Sequence, residues 1–187
     1  SLVFYLWSNR RSDNDPPLFD VFNDLPNDQD DINFIESNPL KPKLNQLTYC
    51  AIESASMANP AKHIRLLVTR DNPLIQRSNF PPFLQNLRSF SVHHIDLEGM
   101  INSYFPEFTP EVQARFHKRV VSLSEISRAV LLFYKGGIYL DQDVVSVGPF
   151  ANVQPNFLPM SPIHRVATAC MKFEQFSPIL KLILDLA

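Results

Sequence analysis

The triplet Asp141-Gln142-Asp143 carries the most specific chemistry in the chain. It follows Gly137-Ile138-Tyr139-Leu140, an apolar run that reads as a buried strand. On a strand, residues two apart point the same way, so both carboxylates can meet one cation. Carboxylates suit hard divalent ions such as Mn²⁺ or Mg²⁺, which share their shell with substrate phosphates. An ion held there would offset charge on a departing diphosphate. The carboxyl end of a strand is also where open α/β sheets bind ligands. Upstream, Glu125 and Arg128 stand three apart and share a helix face. The planar guanidinium suits a phosphate or a pyrimidine edge. A plainer reading of the pair is a surface contact, with Glu125 completing a capping box begun by Ser122.

The elements that must position these groups are legible from periodicity. Ile32 to Ile35 reads as a short strand ending at Glu36-Ser37. Leu44, Leu47, Ala51, Ala55 and Ala58 recur at steps of three and four, a helix stopped by Asn59-Pro60. Ile64 to Thr69 and Phe90 to Ile95 read as strands, and Asp71 to Pro82 as loop. Leu97 to Tyr104 reads as a short helix. A longer helix is expected over Leu123 to Tyr134, with Leu123, Ile126, Val130 and Phe133 as its stripe. Gly136 sits where a left-handed helix end is wanted. Pro149, Pro155, Pro159 and Pro162 interrupt the next stretch. This alternation predicts an α/β domain with a mostly parallel sheet.

Composition narrows the classes. The chain has 187 residues, 45% hydrophobic and 19% charged, enough for one domain with a sizeable core. Its net charge of −2 does not indicate nucleic-acid binding. Two cysteines, Cys50 and Cys170, exclude a disulfide-rich scaffold and a four-cysteine zinc site. Cys50 is expected on the apolar face of its helix, and a bond to Cys170 is left open. Residues 12–31 hold seven aspartates and three prolines, which reads as a solvated stem or linker. Leu2 to Trp7 beside Arg10-Arg11 is either the end of a truncated membrane anchor or a sticky terminus. Ser1 at the start and the apolar run Ile179 to Leu184 at the end suggest a fragment.

Several segments together resemble the DXD sugar-transferase family, most closely its α1,4-galactosyl- and α1,4-N-acetylglucosaminyl-transferring branches. They are Leu123-Ser124-Glu125-Ile126-Ser127-Arg128-Ala129 and Lys135-Gly136-Gly137-Ile138-Tyr139-Leu140-Asp141-Gln142-Asp143. Two more are Asn33-Phe34-Ile35-Glu36-Ser37 and Cys50-Ala51-Ile52-Glu53-Ser54-Ala55, the latter followed by Asn59-Pro60. The resemblance spans residues 32–187 and implies a partial GT-A (Rossmann-like) catalytic domain behind a stem at 1–31. It implies retaining transfer of a hexose or N-acetylhexosamine, galactose above all, from a UDP-sugar to a glycolipid or glycan acceptor. It implies a divalent ion on Asp141 and Asp143, usually Mn²⁺. It places Arg128, Glu125, Glu36, Ser37, Gly137 and Tyr139 around the nucleotide-sugar. It also implies a type II membrane protein facing the Golgi lumen, anchored by an N-terminal segment outside this chain. The family carries Asp where this chain has Glu125, an Asn-bearing strand where it has Val166 to Ala169, and further C-terminal segments.

Two other readings stand beside this one. An aspartate-based phosphatase would use Asp141 as nucleophile and Asp143 as acid/base, but only Glu174 and Asp185 follow as further acids. A non-catalytic relative would bind nucleotide-sugar or glycan without turnover. His93 and His94 should point to opposite faces of their strand, a poor chelate. His63, His117 and His164 are isolated, and Arg115, Lys118 and Arg119 read as a solvated basic face. There is no N-x-Ser/Thr sequon.

Overall fold

The computed structural model describes residues 25, 30–105, 120–160 and 166–186. Five strands form one sheet: β1 (Ile32–Glu36), β2 (Ile64–Thr69), β3 (Phe90–Ile95), β4 (Gly137–Leu140) and β5 (Cys170–Phe173). Their order is β3-β2-β1-β4-β5. The first four are parallel and β5 pairs antiparallel with β4. The helices are α1 (Gln46–Ala58), α2 (Pro82–Gln85), α3 (Leu97–Tyr104), α4 (Val120–Lys135) and α5 (Pro178–Leu186). This is the predicted α/β layered architecture with a mostly parallel sheet.

Strand alternation sends side chains into two cores. Ile32, Phe34, Ile64, Leu66, Ile138 and Leu140 pack with Ala51, Ile52 and Ala55 of α1. Ile35, Leu67, Ile95 and Tyr139 pack on the other face with α3, α4 and α5. From Ile126 to Phe133 every residue of α4 is buried, because sheet, α3 and α5 surround it. That is why its apolar pattern is broader than the single expected stripe.

Gly136 ends α4 with φ +67°, and its N–H donates to Leu132 O at 2.8 Å, the expected left-handed cap. A side chain there would also collide with backbone, since a Cβ would lie 2.8 Å from Gln175 N. Helix α1 is capped by Asn45, whose Oδ1 accepts from Thr48 N at 2.7 Å.

Some expectations are corrected. The buried face of α1 is Thr48, Ala51, Ile52, Ala55 and Ser56, so Leu47 and Cys50 are exposed. Leu44, Ala51 and Ala55 of the expected stripe are buried, so its face is turned only slightly, toward Thr48, Ile52 and Ser56. Cys50 and Cys170 are both free thiols. The Asp71 to Pro82 loop contains a 3₁₀ turn at Arg77–Asn79 and opens into α2. Helix α4 is already running at Val120, so Ser122 lies inside it and does not cap it with Glu125. Not all of 12–31 is solvated: Leu25 is buried in the α4-side core, and buried Asp31 pairs with buried Arg65. Lys135 Nζ donates to Leu25 O at 3.0 Å, which fastens this residue down. The expectations for Leu2 to Trp7, for Arg115, Lys118 and Arg119, and for His117 and His164 lie outside the described residues. Among the described residues no helix is long and apolar enough to cross a membrane.

Candidate functional site

Strand β1 is flanked by β2 on one side and β4 on the other, so the chain reverses its winding between β1 and β4. Ligand crevices of open α/β sheets form at that reversal, outside the carboxyl ends of the two strands. Here those ends are Glu36-Ser37 and Asp141-Gln142-Asp143. The register pairs Ile32 with Ile138 and Asn33 with Tyr139. Continued outward, it sets Glu36 opposite Gln142.

Asp141 leaves the sheet with its N–H on Ala169 O at 2.8 Å, and its own carbonyl accepts from Val144 N at 3.0 Å. The triplet is therefore a tight turn at the strand end, not strand. Turn geometry, rather than the two-residue period of a strand, sets the directions of its side chains. Leu140 and Tyr139 still alternate: Leu140 faces α1 and Tyr139 faces α4.

On the α4 side, Asp141 Oδ1 accepts from Tyr139 Oη at 2.7 Å and from Arg128 Nη1 at 3.0 Å. Arg128 is 5% exposed. Its Nη1 also donates to Thr168 O and Oγ1, at 3.0 and 3.2 Å, and its Nε and Nη2 to Ser124 O and Oγ. Its guanidinium lies over the Tyr139 ring, 4.7 Å from the centroid. In this structure Arg128 positions Asp141 while bonding Thr168 and Ser124. Tyr139 is 1% exposed and does not reach the crevice; it too acts through Asp141. Burial pushes its phenol above the ordinary value, opposed by Arg128 and reinforced by Asp141, so it stays a donor.

On the α1 side, Glu36 is buried and accepts from Asn38 N at 3.0 Å and from Lys41 Nζ at 2.5 Å. Gln142 Nε2 donates to Ile35 O at 2.7 Å and to Glu36 Oε2 at 3.0 Å. Ser37 is buried beside Glu36.

The structure therefore gathers Glu36, Ser37, Arg128, Tyr139, Asp141 and Asp143 along one sheet edge. Glu125 is exposed on α4, one turn before Arg128, with no bond to a described residue. Gly137 is not brought there: it opens β4, about 13 Å of strand before Asp141. Its place among the nucleotide-sugar contacts is corrected on that ground. The sequence reading missed Thr168, Ser124, Lys41, Thr48 and Gln142. The contacts of Thr168, Thr48 and Gln142 join segments far apart in the chain, so no local pattern pointed to them.

Two carboxylates are ligands of the class that hard divalent ions take. Asp141 Oδ2 and the exposed Asp143 carboxylate bear no hydrogen bond or ion pair from the described residues. No third His, Cys, Asp or Glu joins them there, among the described residues. Phosphate oxygens and water would complete such a shell, as is usual for Mg²⁺ and Mn²⁺.

Elsewhere, Ser91 Oγ bridges His63 Nε2 and His93 Nε2, at 2.8 Å each. His63 is therefore not isolated, but the trio lies just before β2 and on β3, away from the reversal. Of the acids a phosphatase would need, Glu174 accepts from Asn156, and Asp185 from Lys181 and Tyr104. Neither touches Asp141.

Comparison with known proteins identifies a family and a fold. The family model described as "Glycosyltransferase sugar-binding region containing DXD motif" matches residues 45–159, from the cap of α1 past the Asp141 turn. Among solved structures, "PaToxG Glycosyltransferase" is similar at TM-score 0.60 and 19% identity, over 90% of this chain and 63% of that one. This chain thus spans less than two thirds of that protein's length. A transferase mutant is similar at TM-score 0.53 and 12% identity, over 84% of this chain and 77% of that one. At these identities the likeness is one of fold. No curated protein matches the chain.

Proposed function

The chain belongs to the family of glycosyltransferases whose sugar-binding region contains a DXD motif, and from that premise we propose that it is a metal-dependent glycosyl-transferring enzyme using a UDP-sugar. The observation that carries the reading is the Asp141–Asp143 turn at the β1/β4 reversal, with Asp141 braced on one oxygen and open on the other. Asp141 and Asp143 would hold Mn²⁺ or Mg²⁺, and the bound ion supplies charge neutralisation for the UDP leaving group. Tyr139 and Arg128 keep Asp141 in place, and Glu36 and Ser37 stand at the nucleotide side of the crevice.

The finer reading rests on the motif resemblance. The sugar is a hexose or N-acetylhexosamine, galactose first, passed with retention to a glycolipid or glycan in α1,4 linkage. The setting is the lumenal side of the Golgi membrane, with an anchor outside this chain.

The test is calorimetric titration of UDP-galactose and UDP-N-acetylglucosamine with Mn²⁺ or with chelator. Binding that needs Mn²⁺ and vanishes in Asp143→Ala supports the reading. Equal binding in chelator overturns the metal site.

A further inference from the structure

We propose that Gln142, the residue between the two aspartates, is a positioning residue that orients the metal-binding turn by tying it to β1 and α1. The inference rests on the reading of Asp141 and Asp143 as a cation site and adds a role for the residue between them, whose four bonds all go to β1, its following loop and α1.

A primary amide has two N–H donors and two acceptor lone pairs. Gln142 uses all of them. Nε2 donates to Ile35 O at 2.7 Å and to Glu36 Oε2 at 3.0 Å. Oε1 accepts from Thr48 Oγ1 at 2.9 Å and from Lys41 Nζ at 3.3 Å. This pattern fixes which end of the amide is nitrogen, because the flipped amide would set its oxygen against Ile35 O and the Glu36 carboxylate. Every partner belongs to a segment 94 to 107 positions earlier, in β1, its following loop, or α1. The partners are themselves fixed. Glu36 is held by Lys41 and by Asn38 N. Thr48 shares its single hydroxyl proton between Gln142 Oε1 and Asn45 Oδ1, which lies at 2.9 Å.

The consequence follows from turn geometry. With its middle side chain locked toward α1, the Asp141–Val144 turn cannot rotate, and Asp141 stays on the α4 side with Arg128 and Tyr139. An untied turn would have to give up rotational freedom at the moment of cation binding. Groups that orient metal ligands in this way commonly change metal affinity by about ten- to a hundredfold when removed.

The experiment is Mn²⁺ titration in the presence of UDP, with thermal unfolding in parallel, on the parent chain, Gln142→Ala, Thr48→Val and the double variant. The expected result is Mn²⁺ affinity about tenfold weaker in Gln142→Ala and about threefold weaker in Thr48→Val. The double variant should match Gln142→Ala alone, because Thr48 reaches the turn only through Gln142. A structural role for Thr48 in α1 would instead lower the melting temperature without that non-additivity in metal affinity. If the parent binds UDP with Mn²⁺ and Gln142→Ala binds Mn²⁺ within twofold of it, this inference is overturned and the site reading stands. If the parent shows no Mn²⁺-dependent UDP binding, the site reading fails and takes this inference with it. Should Gln142→Ala not fold, Thr48→Val decides: unchanged Mn²⁺ affinity overturns the inference, and a drop supports it.

Discussion

Tyr139 Oη stands 2.7 Å from Asp141 Oδ1, on the same carboxylate oxygen that Arg128 engages. One oxygen thus takes both donors, and Oδ2 bears no bond from the described residues. The buried phenol supplies a neutral hydrogen bond and the guanidinium a charged one, so the carboxylate is fixed without being fully neutralised.

Loss of that phenol should be visible at alkaline pH. Burial lifts the Tyr139 value in the folded protein, while in the unfolded chain it is about 10. The folded state therefore holds this proton more tightly. The stability it contributes is complete below pH ~10 and is lost as pH rises toward the folded-state value. The difference in unfolding free energy between the parent and Tyr139→Phe should shrink above pH ~10, by up to about 1.4 kcal/mol per pH unit. Tyr49 and Cys170 are raised by burial, and Lys135 is lowered by burial and by Arg65. These groups are common to both proteins and cancel. A difference that stays flat through pH ~11 refutes the assignment.

Asp143 is exposed and bonds no described residue. Asp143→Asn should leave stability within about 0.5 kcal/mol, yet abolish Mn²⁺-dependent UDP binding. Chemical denaturation beside calorimetric titration separates the two effects; a large stability loss would assign Asp143 to the fold instead.

Arg128→Lys keeps the charge and loses the fork. A single ammonium cannot reach Thr168, Ser124 and Asp141 together. The expected cost is about 2 kcal/mol of stability, with Mn²⁺ affinity lowered about tenfold through Asp141. Equal Mn²⁺ affinity in the two proteins would confine Arg128 to packing.

Ser127 is fully buried in α4, and its hydroxyl has no hydrogen-bond partner among the described residues. Alanine removes the desolvated hydroxyl and favours the helix, so Ser127→Ala should stabilise by about 1 kcal/mol. A lower unfolding midpoint would show that the hydroxyl has a partner.

Strands β2, β3 and β4 and helix α3 were legible residue for residue, because each is a short apolar run or stripe bounded on one side by Arg70, Asp96 or Gly136. The two aspartates stood out as a motif, but the strand expected to orient them ends at Leu140 and they sit in a turn. Local pattern could not reveal Gln142, whose four bonds all reach back across 94 or more positions. It could not reveal Thr168 either, which meets Arg128 only because β5 folds back on β4. Cys50 and Leu47 were misplaced because a spacing of three and four fits more than one rotation of a helix.

Arg128 and Asp141 ride on consecutive elements joined at Gly136, where φ is +67° and a Cβ would strike Gln175 N. Helix and strand thus behave as one bent lever with a fixed elbow. Damage at the elbow would swing the Asp141 carboxylate away from Arg128, so a lesion at Gly136 would mimic a lesion at Asp141 itself. In a mutational screen, a defect at this position would report on the alignment of helix and strand and not on contact with a ligand.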